Sequence, residues 1–269
     1  MNQRPPPPGI DASVPSPARI YDSLIGGKDN YAADRQVAAR LMEINPNIQS
    51  SAIENRAFLG RAVRYIAGQG VDQFLDIGTG LPTRENVHQV AQAFHADARV
   101  LYVDYDPGVV AHARALLGKA PNVSVLEADL RDPDTILDEA RRTLDFDRPV
   151  AVLLIAVLHF IPDADDPHAL VRRLRDALPP GSYVAVSHTT ADLGAETGDT
   201  ATAEYSRMSS AQAVHRDRAA IARFMDGLEP VEPGVEFITR WRPDGAPRPP
   251  EHAVFYGAVG RKPLNNADG

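Results

Sequence analysis

The chain has 269 residues, with 43% hydrophobic and 24% charged side chains. That is close to the globular average, so wholesale disorder is excluded and one large domain, or a domain with an added cap, is expected. Lysine and arginine total 28 against 36 acids, a formal net charge of −8, which argues against a nucleic-acid partner. Cysteine is absent, so disulfide frameworks, Cys-ligated zinc, iron–sulfur clusters and thiol nucleophiles are excluded together.

Residues 1–17 contain six of the 23 prolines and no apolar signal-peptide region, and are expected to form a disordered tail. Residues 18–69 carry a helical pattern without a strand and are expected to form an N-terminal cap. Ile53, Ala57, Leu59, Val63 and Ile66 recur at helical spacing, and Asn45-Pro46-Asn47 breaks the pattern between helices at 33–44 and 48–66. Residues 70–262 then alternate short apolar runs with helical stretches. Strands are expected at 73–77, 100–103, 123–126, 150–155 and 183–187, and helices at 84–95, 107–117, 133–144 and 167–177. Pro107, Pro133 and Pro167 fall where a first helical turn tolerates a missing N–H. A long helix is expected at 201–225, then two short strands at 235–239 and 253–259. Residues 263–269 read as a second tail.

Strands that are almost wholly apolar and separated by helices pair in parallel, buried on both faces. The expected fold is α/β: a doubly wound, mostly parallel seven-stranded sheet with a C-terminal antiparallel hairpin and the helical cap. No apolar run approaches the roughly 20 residues that span a bilayer. A soluble cytoplasmic protein with no membrane partner is expected; its oligomeric state is not legible.

In such a sheet, ligands bind at the carboxyl ends of the strands, where the strand order reverses. The first strand runs into Asp76-Ile77-Gly78-Thr79-Gly80-Leu81-Pro82-Thr83. Gly78 and Gly80 permit a tight turn and a close backbone approach. Taken alone, the loop is weak evidence, since it also reads as a strand-to-helix turn with no ligand. Two further acids stand at the next strand ends, in Asp104-Tyr105-Asp106-Pro107 and in Asp129-Leu130-Arg131. A carboxylate after the second strand can accept from both hydroxyls of a ribose. Asp129 can accept from the amine of adenine, or serve as an Asx turn ahead of Pro133. A dinucleotide would need a third small residue and free N–H groups for its pyrophosphate. Here Thr83 stands in that place and Pro82 has no N–H. S-adenosylmethionine carries an ammonium and a sulfonium but no phosphate, which suits Asp76 beside the glycines. An NAD-dependent oxidoreductase is the weaker alternative.

From Val71 to Arg261 the sequence resembles the class I S-adenosylmethionine-dependent methyltransferases. More narrowly, it is similar to a bacterial family of S-adenosyl methyltransferases of undefined substrate. The narrower resemblance rests on Tyr21-Asp22-Ser23-Leu24-Ile25-Gly26-Gly27-Lys28-Asp29-Asn30-Tyr31, Glu54-Asn55-Arg56-Ala57-Phe58-Leu59, the Asp76 loop, and Leu158-His159-Phe160-Ile161-Pro162-Asp163. It implies a Rossmann-like fold and a methyltransferase using S-adenosylmethionine. By the same resemblance, Asp76 holds the methionine amino group while Gly78 and Gly80 admit the ligand. Asp104 binds the ribose, Tyr105 lies against the adenine, and Asp129 with the Leu130 N–H reads the adenine edge. Pro82 departs from the broad class, which often has a third glycine there, so a stiffer loop exit is expected.

The expected acceptor is a small molecule, with a hydroxyl as one option. His159 and His188, after the fourth and fifth strands, are the candidate catalytic bases, each read equally as a packing histidine. Gly26-Gly27 reads either as a lid corner or as a helix C-terminus with a turn. Tyr21 and Arg56 are further candidates for the donor pocket. Arg56 could grip the methionine carboxylate as a fork, or be an ordinary solvated arginine. Tyr205, Met208 and Phe224 are candidate walls for the acceptor. No metal-ligand spacing is present. A donor-binding sensor that turns nothing over is the alternative to an enzyme.

Overall fold

The computed structural model describes residues 10–83, 85–250 and 253–264. Three helices come first: α1 (Pro17–Leu24), α2 (Ala32–Ile44) and α3 (Ile48–Gly68). Strands and helices then alternate through β1 (Gln73–Ile77), α4 (Val87–Gln92), β2 (Arg99–Asp104), α5 (Pro107–Leu117), β3 (Val123–Glu127), α6 (Pro133–Thr143), β4 (Ala151–Ile155), α7 (Pro167–Ala177) and β5 (Tyr183–Thr189). The chain closes with α8 (Ala195–Met208), α9 (Arg218–Ala222), β6 (Glu229–Pro230), β7 (Glu236–Phe237) and β8 (Phe255–Arg261).

The sheet order is β3-β2-β1-β4-β5-β8-β6. The first five strands are mutually parallel and β8 runs antiparallel beside β5. Eight strands replace the expected seven because β6 and β7 both pair with the same edge of β8. They are two pieces of one strand, interrupted where Pro233 and Gly234 cannot continue the ladder. The order reverses between β1 and β4, and both strands are buried along their full length.

Three helices share one starting device. Asp106, Asp132 and Asp166 each cap a helix whose first residue is proline, accepting from the N–H of Gly108 (2.8 Å), Thr135 (3.2 Å) and Ala169 (3.0 Å). The carboxylate satisfies an orphan donor, and proline forfeits only an N–H that has no helical partner. The pleat then sends alternate strand residues to opposite layers. Phe74, Val100 and Leu153 pack with α3, α4 and α5, whereas Leu75, Leu101 and Leu154 pack with α6, α7 and α9.

A third, smaller core joins Ile20, Leu24, Val37, Leu41 and Ala52 with Tyr205 and Met208 of α8. The expected boundary at residue 69 falls just after α3, whereas the division between the two cores runs through that helix. Its first turns belong to this cap, while Phe58, Leu59, Val63 and Ile66 belong to the main core.

Of the expected N-terminal tail, residues 1–9 lie outside the described residues. From Ile10 the chain is held in place. Ile10 fills the space beside Gly108, and the Ser16 N–H donates to Asp34, itself in a buried ion pair with Arg19 at 2.9 Å. Residues 265–269 of the expected C-terminal tail also lie outside. Helix α4 is shorter than the expected 84–95, whose first residue is not among those described. The expected helix at 201–225 is broken. Helix α8 stops at Met208, where Ser209 turns extended and the Ser210 N–H donates to Pro15 O at 3.1 Å. Asp217 then caps a new start. Among the described residues no helix is long and apolar enough to cross a membrane.

Candidate active site

The loop after β1 is built by two positive φ angles, +74° at Gly78 and +65° at Gly80. A side chain at Gly78 would also collide with Val157, whose Cγ2 lies 2.5 Å from the Cβ position. The N–H groups of Gly78 and Thr79 donate to Val103 O at 2.9 and 3.1 Å, folding the loop onto β2. Two carboxylates are fixed by this fold. Asp76 accepts from Thr79 Oγ1 at 2.9 Å. Asp104 accepts from the N–H of Gly80 at 2.9 Å and of Asp106 at 3.0 Å.

Both acids are almost sealed from bulk water, at 5% and 8% exposure. Burial pushes Asp76 up to about 6, against the pull of the Thr79 hydroxyl and the nearby Arg56 charge. Burial likewise pushes Asp104 up to about 6, against its hydrogen bonds from Asp106 and Gly80. Two desolvated carboxylates that are half-protonated near pH 6 and mostly ionised at neutral pH are available there to a cation.

Two cavities meet over the loop and share Gly78, Asp104, Tyr105, Val157 and Phe160. The larger, about 490 Å³, runs under the cap and contains Tyr21, Arg56, Asp76, Gly80 and His159 in its lining. The smaller, about 370 Å³, opens toward β3 and takes in Asp129, Leu130 and Gln212. Every residue read from the sequence as touching the donor thus borders one of the two cavities. Several are already engaged. Asp129 accepts from the Arg131 N–H at 2.9 Å as an Asx turn, and pairs with the Arg131 guanidinium at 3.1 Å. Tyr21 donates to Ala52 O at 2.8 Å and accepts from Asn55 Nδ2 at 3.1 Å. Arg56 is half-buried and donates to Glu85 O at 3.2 Å, so it is not a freely solvated surface arginine.

Asn55, which sequence reasoning did not single out, links cap to sheet. Its Oδ1 accepts from Ser187 Oγ at 2.6 Å, and Ser187 Oγ accepts from the Ala156 N–H at 2.9 Å. Ala156 takes a left-handed φ of +54° in consequence, turning the chain after β4 along the cavity. Of the two readings of Gly26-Gly27, the structure has the helix end. Gly26 follows the α1 C-cap at φ +77°, and Asp22 accepts from the Asp29 N–H and Asn30 Nδ2 at 2.9 and 2.8 Å.

The two candidate bases are corrected by their surroundings. His188 lies outside both cavity linings. Its Nδ1 is 2.7 Å from Thr189 O and its Nε2 is 2.8 Å from the Arg216 guanidinium, and burial holds the ring well below the ordinary imidazole range, so it is not placed to take a proton from the cavity. His159 does line the larger cavity, and its Nδ1 has no partner among the described residues. Burial, reinforced by the Arg216 charge, pushes it down to about 3. It is a neutral imidazole with little affinity for a proton. His215, which sequence reasoning did not single out, borders the same cavity because α8 breaks before it. Its Nε2 is 3.1 Å from Asp199 and its Nδ1 is 3.3 Å from Thr202 Oγ1. Nothing in the local sequence signals that pairing, which needs the break. Of the expected acceptor walls only Tyr205 borders the cavity. Met208 packs against the cap core, and Phe224 is buried under β5.

A family profile described as S-adenosyl methyltransferase matches residues 3–263. The chain belongs to that family. It is an S-adenosylmethionine-dependent methyltransferase, and S-adenosylmethionine is its methyl donor. Two solved structures are similar over nearly their whole length. A DUF574-family protein from Streptomyces avermitilis MA-4680 is 41% identical, with a TM-score of 0.90 over 94% of this chain and 99% of that one. A candidate methyltransferase from Thermobifida fusca YX is 43% identical, with a TM-score of 0.90 over 96% of this chain and 99% of that one. The O-methyltransferase family protein from Burkholderia thailandensis shares the fold only, at 15% identity and a TM-score of 0.50 over 81% of this chain and 60% of that one. No curated protein matches the chain. For this methyltransferase the NAD-dependent alternative falls away.

Proposed function

We propose that this methyltransferase transfers a methyl group to the hydroxyl of a small molecule held in the larger cavity. The observation that carries the donor placement is the pair of buried carboxylates, Asp76 and Asp104, tied to one glycine loop where two cavities meet. Their chemistry fits a donor with two cationic centres and a ribose diol. Asp76 would face the methionine ammonium, and Asp104 would accept from the ribose hydroxyls. Tyr105 and Leu130 would border the adenine, with Asp129 presenting whatever accepting capacity Arg131 leaves. Arg56 would face the methionine carboxylate, and Tyr21 would brace the wall through Asn55. The donor supplies an already activated methyl group, so the protein has only to align an acceptor and receive its proton.

The residues here divide that work. Neutral His159 offers a hydrogen bond to the hydroxyl without taking its proton. His215 is the cavity histidine with a carboxylate partner, and Asp199 can hold the imidazolium once it forms. The proton released as the oxygen gains its methyl group would reside on His215. The enclosed setting suits a small-molecule acceptor.

Transfer of tritium from methyl-labelled S-adenosylmethionine to panels of alcohols, phenols and amines tests this reading. Label in hydroxyl compounds is expected. Label confined to amines would contradict the acceptor assignment, and donor binding with no turnover on any panel would favour a sensor.

A further inference from the structure

The larger cavity is walled by the cap and α8 as well as by the glycine loop. Leu24, Ile25 and Ile44 line it from the cap, Leu193 and Ala201 from the α8 side, and Phe255 from β8. The charged side chains around the whole cavity, among the described residues, sit on the donor side or are already occupied. Asp22 accepts from Asp29 N and Asn30, and Asp106 caps α5 through Gly108 N. Arg56, the cavity's arginine, donates to Glu85 O and stands close enough to Asp76 to pull its titration down. An acceptor carboxylate or phosphate would find no free cation along the apolar wall, and an ammonium would find no free acid there. Leaving an ion unpaired in such a space is costly.

The same wall carries rings. Phe160 lies 4.2 Å from His159 and 5.7 Å from Tyr205, and Phe255 lies 6.0 Å from His159, all between centroids. His159 is 7% exposed, and its Nδ1 and the Tyr205 hydroxyl both lack a partner among the described residues, so two neutral hydrogen-bonding groups stand in an otherwise apolar, ring-lined surface. We infer that the acceptor is an uncharged, mainly apolar ring compound, seated between the cap and α8 with a single hydroxyl toward His159. This rests on the donor lying at Asp76 and Asp104, as proposed above. Flat rings match such a wall in area and in edge-to-face contact.

The test uses three probes of one shape on the full-length protein saturated with S-adenosylhomocysteine: 2-naphthol, 2-naphthoate and 2-naphthylmethylammonium, each by calorimetric titration. Naphthol is expected to bind, with both charged probes weaker by about tenfold or more. Ala201→Trp is expected to abolish naphthol binding while S-adenosylhomocysteine still binds. Equal or tighter binding of either charged probe, or no naphthol binding to the S-adenosylhomocysteine complex, overturns the acceptor class. Failure of S-adenosylhomocysteine to bind the wild-type protein is a separate outcome. It contradicts the donor placement, and with it the seat assigned to the ring, whatever naphthol does.

Discussion

Asp76 and Asp104 end adjacent parallel strands and are tethered to the same three-residue stretch, one through the Thr79 hydroxyl and the other through the Gly80 N–H, both at 2.9 Å. The loop thereby holds two like charges on one cavity floor; burial raises the titration of both, and the Asp104 charge adds to the rise at Asp76. Such an arrangement stores unfavourable energy that a cationic ligand can release. That is the physical core of the donor site proposed here.

The pH dependence follows with opposite signs for folding and for binding. Both carboxyls titrate near 6 in the folded chain, above their ordinary value of 3.8. The folded state then binds more protons than the unfolded state between about pH 4 and 6, and its stability from these groups falls as pH rises through that window. Donor binding needs the ionised forms, so it should weaken as pH drops below about 6. Asp76→Asn should accordingly stabilise the ligand-free protein at pH 7.5 by about 1–3 kcal/mol while weakening the donor. Urea unfolding at pH 7.5 and donor titrations from pH 5 to 8 check the two signs. A donor affinity flat across that range would contradict the role of both acids.

The glycine loop gives a stability ranking. Gly78→Ala meets both a left-handed backbone and Val157 at 2.5 Å, whereas Gly80→Ala meets the backbone penalty with nothing within 4 Å. The first should cost about 2–4 kcal/mol and the second about 1 kcal/mol. Thermal unfolding of the two variants measures the order, and a reversal would mean that Val157 yields freely.

For the proton acceptor, His215→Ala should lower kcat on a hydroxyl acceptor by about 10²–10⁴ and leave the donor Kd unchanged. His159→Ala should instead act mainly on the acceptor KM, because its neutral ring holds the substrate and takes no proton. Steady-state kinetics on the two variants separates the roles. Full turnover in His215→Ala would remove it as the base.

Much of the fold was legible because its rules are local. Asp-Pro pairs at 106–107, 132–133 and 166–167 declare helix starts, and the apolar runs at β1 and β4 declare a doubly buried parallel sheet. The placement of Asp76 and Asp104 on one cavity floor was legible for the same reason, since each lies in the last two residues of its strand. What failed was decided by distant partners. His188 loses its Nε2 to Arg216, 28 residues on, and His159 loses its basicity to burial and to that same guanidinium. The break after Met208 depends on Pro15 receiving the Ser210 N–H, a contact no helical periodicity records. That break moves Phe224 out of the acceptor wall and brings His215 into it.

The most direct test of the account is calorimetric titration of the wild-type protein and Asp104→Ala with S-adenosylmethionine and S-adenosylhomocysteine. Both ligands should bind the wild-type protein, and the variant should lose about 1–3 kcal/mol of affinity for each, the value of hydrogen bonds to a charged carboxylate. Equal affinities in a folded variant would contradict the placement of the donor at Asp104.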